Sequence, residues 1–569
     1  MEKDLEFMSG TSSKILNYTN DYRAMRLLSN FTKFSRIQGS FEILDAAKFL
    51  VDQIIENSSE YLEAELIKFG GTSVPEWIGA PTGWIHRITW VKIGNVEFNS
   101  RQHPTLAVAH SPSSNGKITG EAILIKDWTN YEEYKKASGK IVIADGNSYM
   151  IYRMAAENNA IGVGLYSKNA PPNAVPYKSL FLSREEASKY TIPAVSIPNY
   201  LINNIEGKEI SIYLDADVKK DPGFPFILSW IGDKNSKGPA LIAHMCHPSP
   251  GANDNGSGSI SVIESALTLS ELISKGEIKS PEKTIRFILF PEYTGSSVIF
   301  GSKLSNLITE TINLDMVGVY PDENNGPLRI VNNSASFISN SSSSLFYAFS
   351  LIARKMGFNR YKVIPYDGGS DHDVSIAYNI PSVMLNQWPD YAYHTDLDDI
   401  NRVSRNMIKV SSSSASLAIF SLSSTEISNE NFYNYFLNEL VFNHLSNEDI
   451  LSAKLAKSAL ASKFNLKSDP LPSDWKTDGD QIVKEKPPMI ELRAIAKNNF
   501  DSAIKIAKIL NKDELSTTVY LREALYLSNL PVKDILTILT AEYGRKHVDK
   551  EDLREVFSYL SDAKIIRFS

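Results

Sequence analysis

Along residues 221–425 the chain alternates short apolar runs with longer amphipathic stretches. The runs near 226–231, 239–244, 284–290, 310–315, 328–332 and 381–386 are bounded by turn formers and are too short for buried helices, so they predict buried strands. Between them, segments near 258–275, 295–304, 340–356, 372–378 and 401–424 carry apolar residues at helical spacing. Strands alternating with helices mark βαβ units and predict an α/β unit, a mixed and mostly parallel sheet flanked by helices. Two serine-rich stretches fall inside this pattern. Residues 331–344 read as a loop leading into a helix cap, and residues 411–424 as a helix built from small residues.

Upstream, residues 1–95 form the N-terminal part of the same unit, with a helix over 41–56 in which Ile43, Ala46, Ala47, Leu50 and Ile54 share a face. The segment Arg-Ile-Gln-Gly-Ser at 36–40 precedes it. Residues 96–220 change character. Short strands are predicted at 120–126, 139–144, 161–165, 192–197 and 210–214, with one helix over 149–159, so this stretch reads as a small β-rich insertion. It contains no cluster of metal-ligating residues; its expected role is to restrict access or select substrate, with a purely structural role equally open. Residues 426–480 read as a helical connector with a linker at 470–480. The tail, 481–569, shows helical patterns near 489–497, 500–511, 515–528, 531–542 and 549–561 and ends in a short strand at 564–568.

Composition narrows the picture. The chain has 569 residues, 43% of them hydrophobic, enough for several cores. A net charge of −7 argues against nucleic acid or an anionic membrane as a bulk partner. Cys246 is the sole cysteine, so no intrachain disulfide forms. The first residues are polar and acidic, and no run reaches transmembrane length, which together predict a cytoplasmic protein without a membrane partner. Helices followed by a short strand give the tail the look of a winged-helix module. Its basic residues are matched by acidic ones, so it is expected to make domain or subunit contacts, a route to a homo-oligomer, and not to bind DNA.

The chemistry gathers at strand ends. Residues 239–258, PALIAHMCHPSPGANDNGSG, place His244 and His247 at the end of a strand and Asp254 just before a helix. In open α/β sheets that crevice is where ligands bind. Glu292 closes the run ending at Pro291, Asp315 the run ending at Leu314, and His394 follows the aromatic loop WPDYAYH. Histidines and carboxylates on successive strand ends suit a divalent metal. Taken singly, Asp254 and Asp315 read equally as caps, and His394 as a structural histidine; it is the set that points to a metal.

The order of these residues resembles a known family, the zinc aminopeptidases and glutamate-carboxypeptidase-like exopeptidases with two metals. The resemblance rests on Ala243–His244, on Gly251 to Gly258 (GANDNGSG), on Glu292–Tyr293–Thr294–Gly295, Asn313–Leu314–Asp315, Ser370–Asp371–His372 and Tyr393–His394–Thr395–Asp396. It covers roughly residues 30–95 and 222–425. It implies a phosphorylase/hydrolase-like zinc peptidase fold, with 96–220 similar to the family's protease-associated insertion. It also implies one or two zinc ions, or another divalent metal, held by His244, Asp254, Asp315 and His394. Glu292 is then the general base, and Asp371, His372 and Tyr393 lie by the substrate. Two positions depart from the family. Where it carries a second glutamate this chain has Tyr293, and where it carries an aspartate behind the first histidine this chain has Cys246. Tyr293, Cys246 and His247 are therefore open as ligands or as outer partners, and His244 and His247 compete for one place. The expected activity is hydrolysis of peptides from the amino terminus. A catalytically weakened binding or scaffold protein, and another zinc amidohydrolase on the same fold, stand as alternatives. His86, His103 and His110 read as ordinary histidines.

Overall fold

The computed structural model describes residues 2–219, 223–334, 337, 339–424, 429–467, 482–512 and 530–569. The linker expected at 470–480 and the helix expected near 515–528 lie outside them.

In chain order the strands are β1 (Glu63–Phe69), β2 (Gly83–Ile93), β3 (Val96–Asn99), β4 (Ile118–Leu124), β5 (Ile141–Ala144), β6 (Gly162–Leu165), β7 (Ala194–Ser196), β8 (Glu209–Lys219), β9 (Phe224–Ile231), β10 (Gly238–His244), β11 (Ile285–Phe290), β12 (Ile308–Asp315), β13 (Leu328–Val331), β14 (Tyr361–Ile364), β15 (Ser382–Gln387), β16 (Val483–Glu485) and β17 (Arg567–Phe568). Eight of them form one sheet in the order β1-β9-β11-β10-β12-β15-β13-β14. Its centre, β11-β10-β12-β15, is parallel, while β1, β9 and the β13–β15 pairing run antiparallel. This is the mixed, mostly parallel α/β sheet that the alternating pattern predicts.

Every residue of β10 is buried, because both faces of the strand are covered. Leu241 and Ala243 enter the core under helices Glu42–Asn57, Gly258–Ser274, Asn340–Met356 and Arg405–Ser424. Ala240 and Ile242 face the opposite core. A strand buried on both faces reads as a continuous apolar run, which is why it is visible in the sequence. The serine-rich helix Arg405–Ser424 packs into the first core, its small side chains bonding locally, as where Ser416 Oγ donates to the Ser412 carbonyl at 2.7 Å. Ser339 caps Asn340–Met356, as the serine-rich loop suggests. The strands missing from the sequence reading, β1 and β14, are edge strands with half-exposed, mixed side chains.

A second sheet, ordered β3-β2-β8-β4-β5-β6-β7, occupies the β-rich stretch. Its two longest strands, β2 and β8, pair antiparallel; β2 interleaves Trp, His, Arg and Lys with apolar residues, which hid it from the hydrophobic pattern. Helix Ser148–Glu157 flanks this sheet and shares a core with Leu492–Asn498 from the tail, through residues such as Met150, Met154 and Ile495. The tail's helices Phe500–Leu510, Val532–Tyr543 and Lys550–Asp562 accompany a two-stranded antiparallel ribbon, β16–β17. Among the described residues, no helix is long and apolar enough to cross a membrane.

Candidate metal centre

Neighbouring parallel strands end at one edge of the large sheet, and their last residues meet there. His244 closes β10, Asp315 closes β12, and Glu292 lies two residues past β11. Asp254 comes from the irregular turn 252–257 that feeds helix Gly258–Ser274; its peptide bond to Asn255 is cis. His394 arrives from the loop after β15, and His247 from the loop after β10.

Asp254 is the hub. One of its oxygens, Oδ1, lies 3.5 Å from His244 Nε2, which in turn lies 3.4 Å from Asp315 Oδ1. Its other oxygen, Oδ2, lies 3.0 Å from His394 Nε2 and 3.6 Å from His247 Nε2. The structure thus forms two clusters that share one carboxylate: His244, Asp254 and Asp315, and His247, Asp254 and His394. Ligand atoms bound at about 2.0–2.2 Å to a tetrahedral metal stand roughly 3.3–3.6 Å apart, close to the His244 and Asp315 spacing seen here. The donor set fits a metal for a further reason. The buried atoms Asp315 Oδ1 and His247 Nε2 have no hydrogen-bond partner in the protein, and orphaned buried polar atoms call for a ligand.

The tautomers fit as well. His244 Nδ1 faces the Cys246 carbonyl at 3.3 Å, and His247 Nδ1 the Pro248 carbonyl at 2.8 Å. A carbonyl only accepts, so each Nδ1 carries a proton and Nε2 is the atom each ring turns toward Asp254. Burial pushes His247 down to about 3, so its ring is neutral, the form that ligates. Burial pushes His244 down too, but Glu292 and Asp315 outweigh it and leave the ring well above its ordinary value, the signature of a place that attracts positive charge. Burial pushes Asp254 up, and the surrounding imidazoles of His247, His394 and His244 more than offset it, so it stays ionised. Glu292 is pushed well above the usual carboxylate range, first by burial and then by the carboxylates of Asp371, Asp315 and Asp254, with His244 opposing.

Of the other residues singled out in the sequence, Cys246 lies beside the cluster and forms a third possible donor group with His244 and Glu292. Its Sγ accepts from the Glu292 backbone N–H at 3.1 Å and lies 3.8 Å from His244 Nδ1. Tyr293 sits at φ 56°, in the strained left-handed region, and its N–H donates to Asp371 Oδ1 at 2.9 Å. Asp371 is fully buried, also accepts from Ser296 Oγ at 2.5 Å, and is raised to about 6, chiefly by burial. It therefore holds the turn that carries Glu292. His372 is buried behind this turn, its Nε2 donating to the Asp367 carbonyl at 2.8 Å, and is not brought to the cluster. Tyr393 stacks on His394 with ring centroids 3.8 Å apart and lines the cavity. His394 and Met316 share the left-handed strain, at φ 51° and 57°. Non-glycine residues there cost about 1–3 kcal/mol each and persist only where the surroundings hold them.

Several further residues hold the site in shape. Arg36, fully buried, donates to the carbonyls of Phe31, Phe34, Met245, Pro250 and Gly251. Asp398 accepts the backbone N–H groups of Asn253 and Asp254, both at 2.9 Å. It ends the Tyr-His-Thr-x-x-Asp spacing and so was available as a signal. His103 pairs with Asp396 at 2.6 Å, tying the inserted sheet to the loop that bears His394. Tyr177, also from the insertion, lies edge-on to His247 and His394 at 4.8 and 5.0 Å.

The clusters open into a cavity of about 700 Å³. His244, Asp254, Glu292, Asp315 and His394 line its floor, and Leu440, Asn443, His444 and Tyr543 from the C-terminal helices face them. A smaller space of about 270 Å³ lies on the insertion side, between Tyr177, Phe181, His247 and Glu292.

A carboxylate shared by two nitrogen-and-oxygen clusters at the strand ends of a mixed α/β sheet makes this a candidate metal centre. Residues 227–418, about a third of the chain, match the model of Peptidase family M28. Among solved structures, the chain is similar to a zinc aminopeptidase from Bacillus subtilis, with 21% identity over 71% of this chain and 95% of that one and a TM-score of 0.53. It is also similar to a Peptidase M28 precursor from Shewanella amazonensis, with 16% identity over 74% of this chain and 98% of that one and a TM-score of 0.55. At these identities the likeness is one of fold. No curated protein matches the sequence.

Proposed function

We propose that the protein is a zinc-dependent exopeptidase that removes residues from the free amino end of peptides. The observation that carries this reading is Asp254, whose two oxygens each face a separate cluster while Glu292 stands in the same cavity. His244, Asp254 and Asp315 would hold a zinc ion. Bound there, it supplies Lewis acidity that polarises an amide carbonyl and brings the ionisation of water toward neutral pH.

The chain's own groups do the rest. Glu292 has a carboxylate oxygen within 4.8 Å of a His244 ring nitrogen. It is placed to take the proton from an attacking water and to return it to the departing amine nitrogen. Its raised proton affinity suits it to both halves of that transfer. The backbone N–H to Cys246 Sγ and the Asp371 contact to the next residue fix its turn. Glu292 offers an acceptor to a free amine at this end of the substrate, in a cavity whose lining also holds Arg329 and Lys362. Arg329, on the cavity wall, is already paired with Asp367. The insertion and the C-terminal helices narrow the approach from both sides, which favours short peptides with a free terminus.

The zinc-loaded protein is expected to hydrolyse aminoacyl-p-nitroanilides and free peptides, to spare N-acetylated peptides, and to lose activity with chelator. Glu292→Gln should lower kcat by about 10²–10⁴ with zinc content unchanged. Absence of hydrolysis by the metal-loaded protein, with no effect of Glu292→Gln, would remove the assignment.

A further inference from the structure

The family resemblance leaves one of two metal places without its carboxylate, because Tyr293 stands where a glutamate is expected. The structure puts another donor there. His247 Nε2 is buried, carries a lone pair by the hydrogen bond its Nδ1 makes to Pro248, and has no hydrogen-bond partner. It points at Asp254 Oδ2, 3.6 Å away, the oxygen that His394 Nε2 also approaches at 3.0 Å. A lone pair facing a carboxylate across that distance, inside protein, is two acceptors opposed. A metal ion between them resolves the arrangement, as a second proton on the ring would, and burial disfavours that proton.

The ring is also fixed in this pose. The backbones of Arg36 and His247 bond each other twice, at 2.8 and 3.1 Å. Tyr177 packs its ring against the imidazole. Gly251 lies under it at φ +50°, where a Cβ would come within 2.4 Å of His247 Nδ1. Such a clamp matches what metal-ligating histidines require from their surroundings.

We propose that the chain binds two divalent ions, one on each side of Asp254, and that the second is held by His247 Nε2, Asp254 Oδ2 and His394 Nε2, with His247 in place of the missing glutamate. His244 and His247 then serve different ions and do not compete. Exchange of a carboxylate for an imidazole leaves the second ion less neutralised and gives its site two nitrogen donors. That favours zinc, cobalt and copper over magnesium and manganese. The inference rests on the metallopeptidase reading for the first ion, but its test does not depend on hydrolysis.

The experiment titrates the metal-free full chain with zinc by calorimetry and counts bound metal by elemental analysis. Two zinc ions per wild-type chain are expected. His247→Ala should bind the first as before and weaken the second by more than about 100-fold, beyond what losing an outer partner costs; His247→Glu should recover it. Because a variant can fail to fold, zinc X-ray absorption of the doubly loaded wild type provides an independent count, with three imidazoles shared by two ions expected. One zinc per wild-type chain, two imidazoles in the doubly loaded protein, or His247→Ala binding both ions like wild type would each overturn the proposal. Two bound ions without peptide hydrolysis would uphold it while removing the proposed function.

Discussion

Arg36 offers the sharpest test of what holds the loop between His244 and Asp254 in shape. Its guanidinium has no exposed surface and donates to five carbonyls, three of them in the loop 245–251 that joins His244 to Asp254. Burial lowers it to about 10, opposed by the charges of Cys246, Asp398 and Asp254. A fall of that size corresponds to about 3 kcal/mol against the charged form, so the group is costly and is kept for what it organises. Arg36→Met relieves that desolvation but leaves five carbonyls without a donor. Each buried unsatisfied group costs about 1–3 kcal/mol, and water entry recovers part of the sum. A net loss of about 3–5 kcal/mol is expected, the usual range when one member of a buried charged arrangement is removed. At about 2–4 °C per kcal/mol for a unit of this size, the melting temperature falls by roughly 10 °C. Arg36→Lys, with fewer and shorter-reaching donors, should fall in between. Differential scanning calorimetry of the metal-free and zinc-loaded chain reads both variants. Zinc affinity should drop by about tenfold or more, because the loop bearing His247 loses its anchor. A melting point within 2 °C of wild type together with unchanged zinc binding would refute the reasoning.

Three further outcomes follow from the same structure. Asp398→Asn replaces a carboxylate that receives two backbone N–H groups with an amide whose NH2 opposes one of them; zinc affinity should fall by about 10–100-fold in calorimetric titration. Removal of zinc by chelator should lower thermal stability, by about 2.7 kcal/mol per site for free zinc held at one hundred times its Kd, and re-addition should restore it in a melting scan. His110 is 1% exposed and lowered to about 4, by burial and then by Arg493, against the Gln38 carbonyl contact. Unfolded histidine gains its proton near 6.5, so protons bind the unfolded chain first and stability present at pH 7 is lost as pH falls from about 6.5 toward 4. About 2 kcal/mol of the loss between pH 7 and 5 should vanish in His110→Asn, measured by urea unfolding at both pH values; an identical pH slope in the two proteins would rule this out.

The sequence by itself determined the sheet and most of the site's cast. Runs buried on both faces, such as 240–243 and 287–290, are apolar throughout, so they stand out against the turns around them, and the polar residues that close them stand out in turn. His244, Asp254, Glu292, Asp315 and His394 are legible because strand ends in a parallel sheet all face one crevice. The edge strands β1 and β14 and the long β2 were not, since half-exposed strands carry mixed side chains that blur the period. The role of His247 was not legible either. Its spacing from His244 is the same whether the two rings compete for one ion or face opposite oxygens of Asp254. Only the turn at Gly251 and the clamp from Arg36, more than two hundred residues upstream, decide which way the ring points. Spacing along a chain fixes which donors are near one another; the direction of a lone pair is set by backbone from elsewhere, and that direction is what coordination chemistry reads.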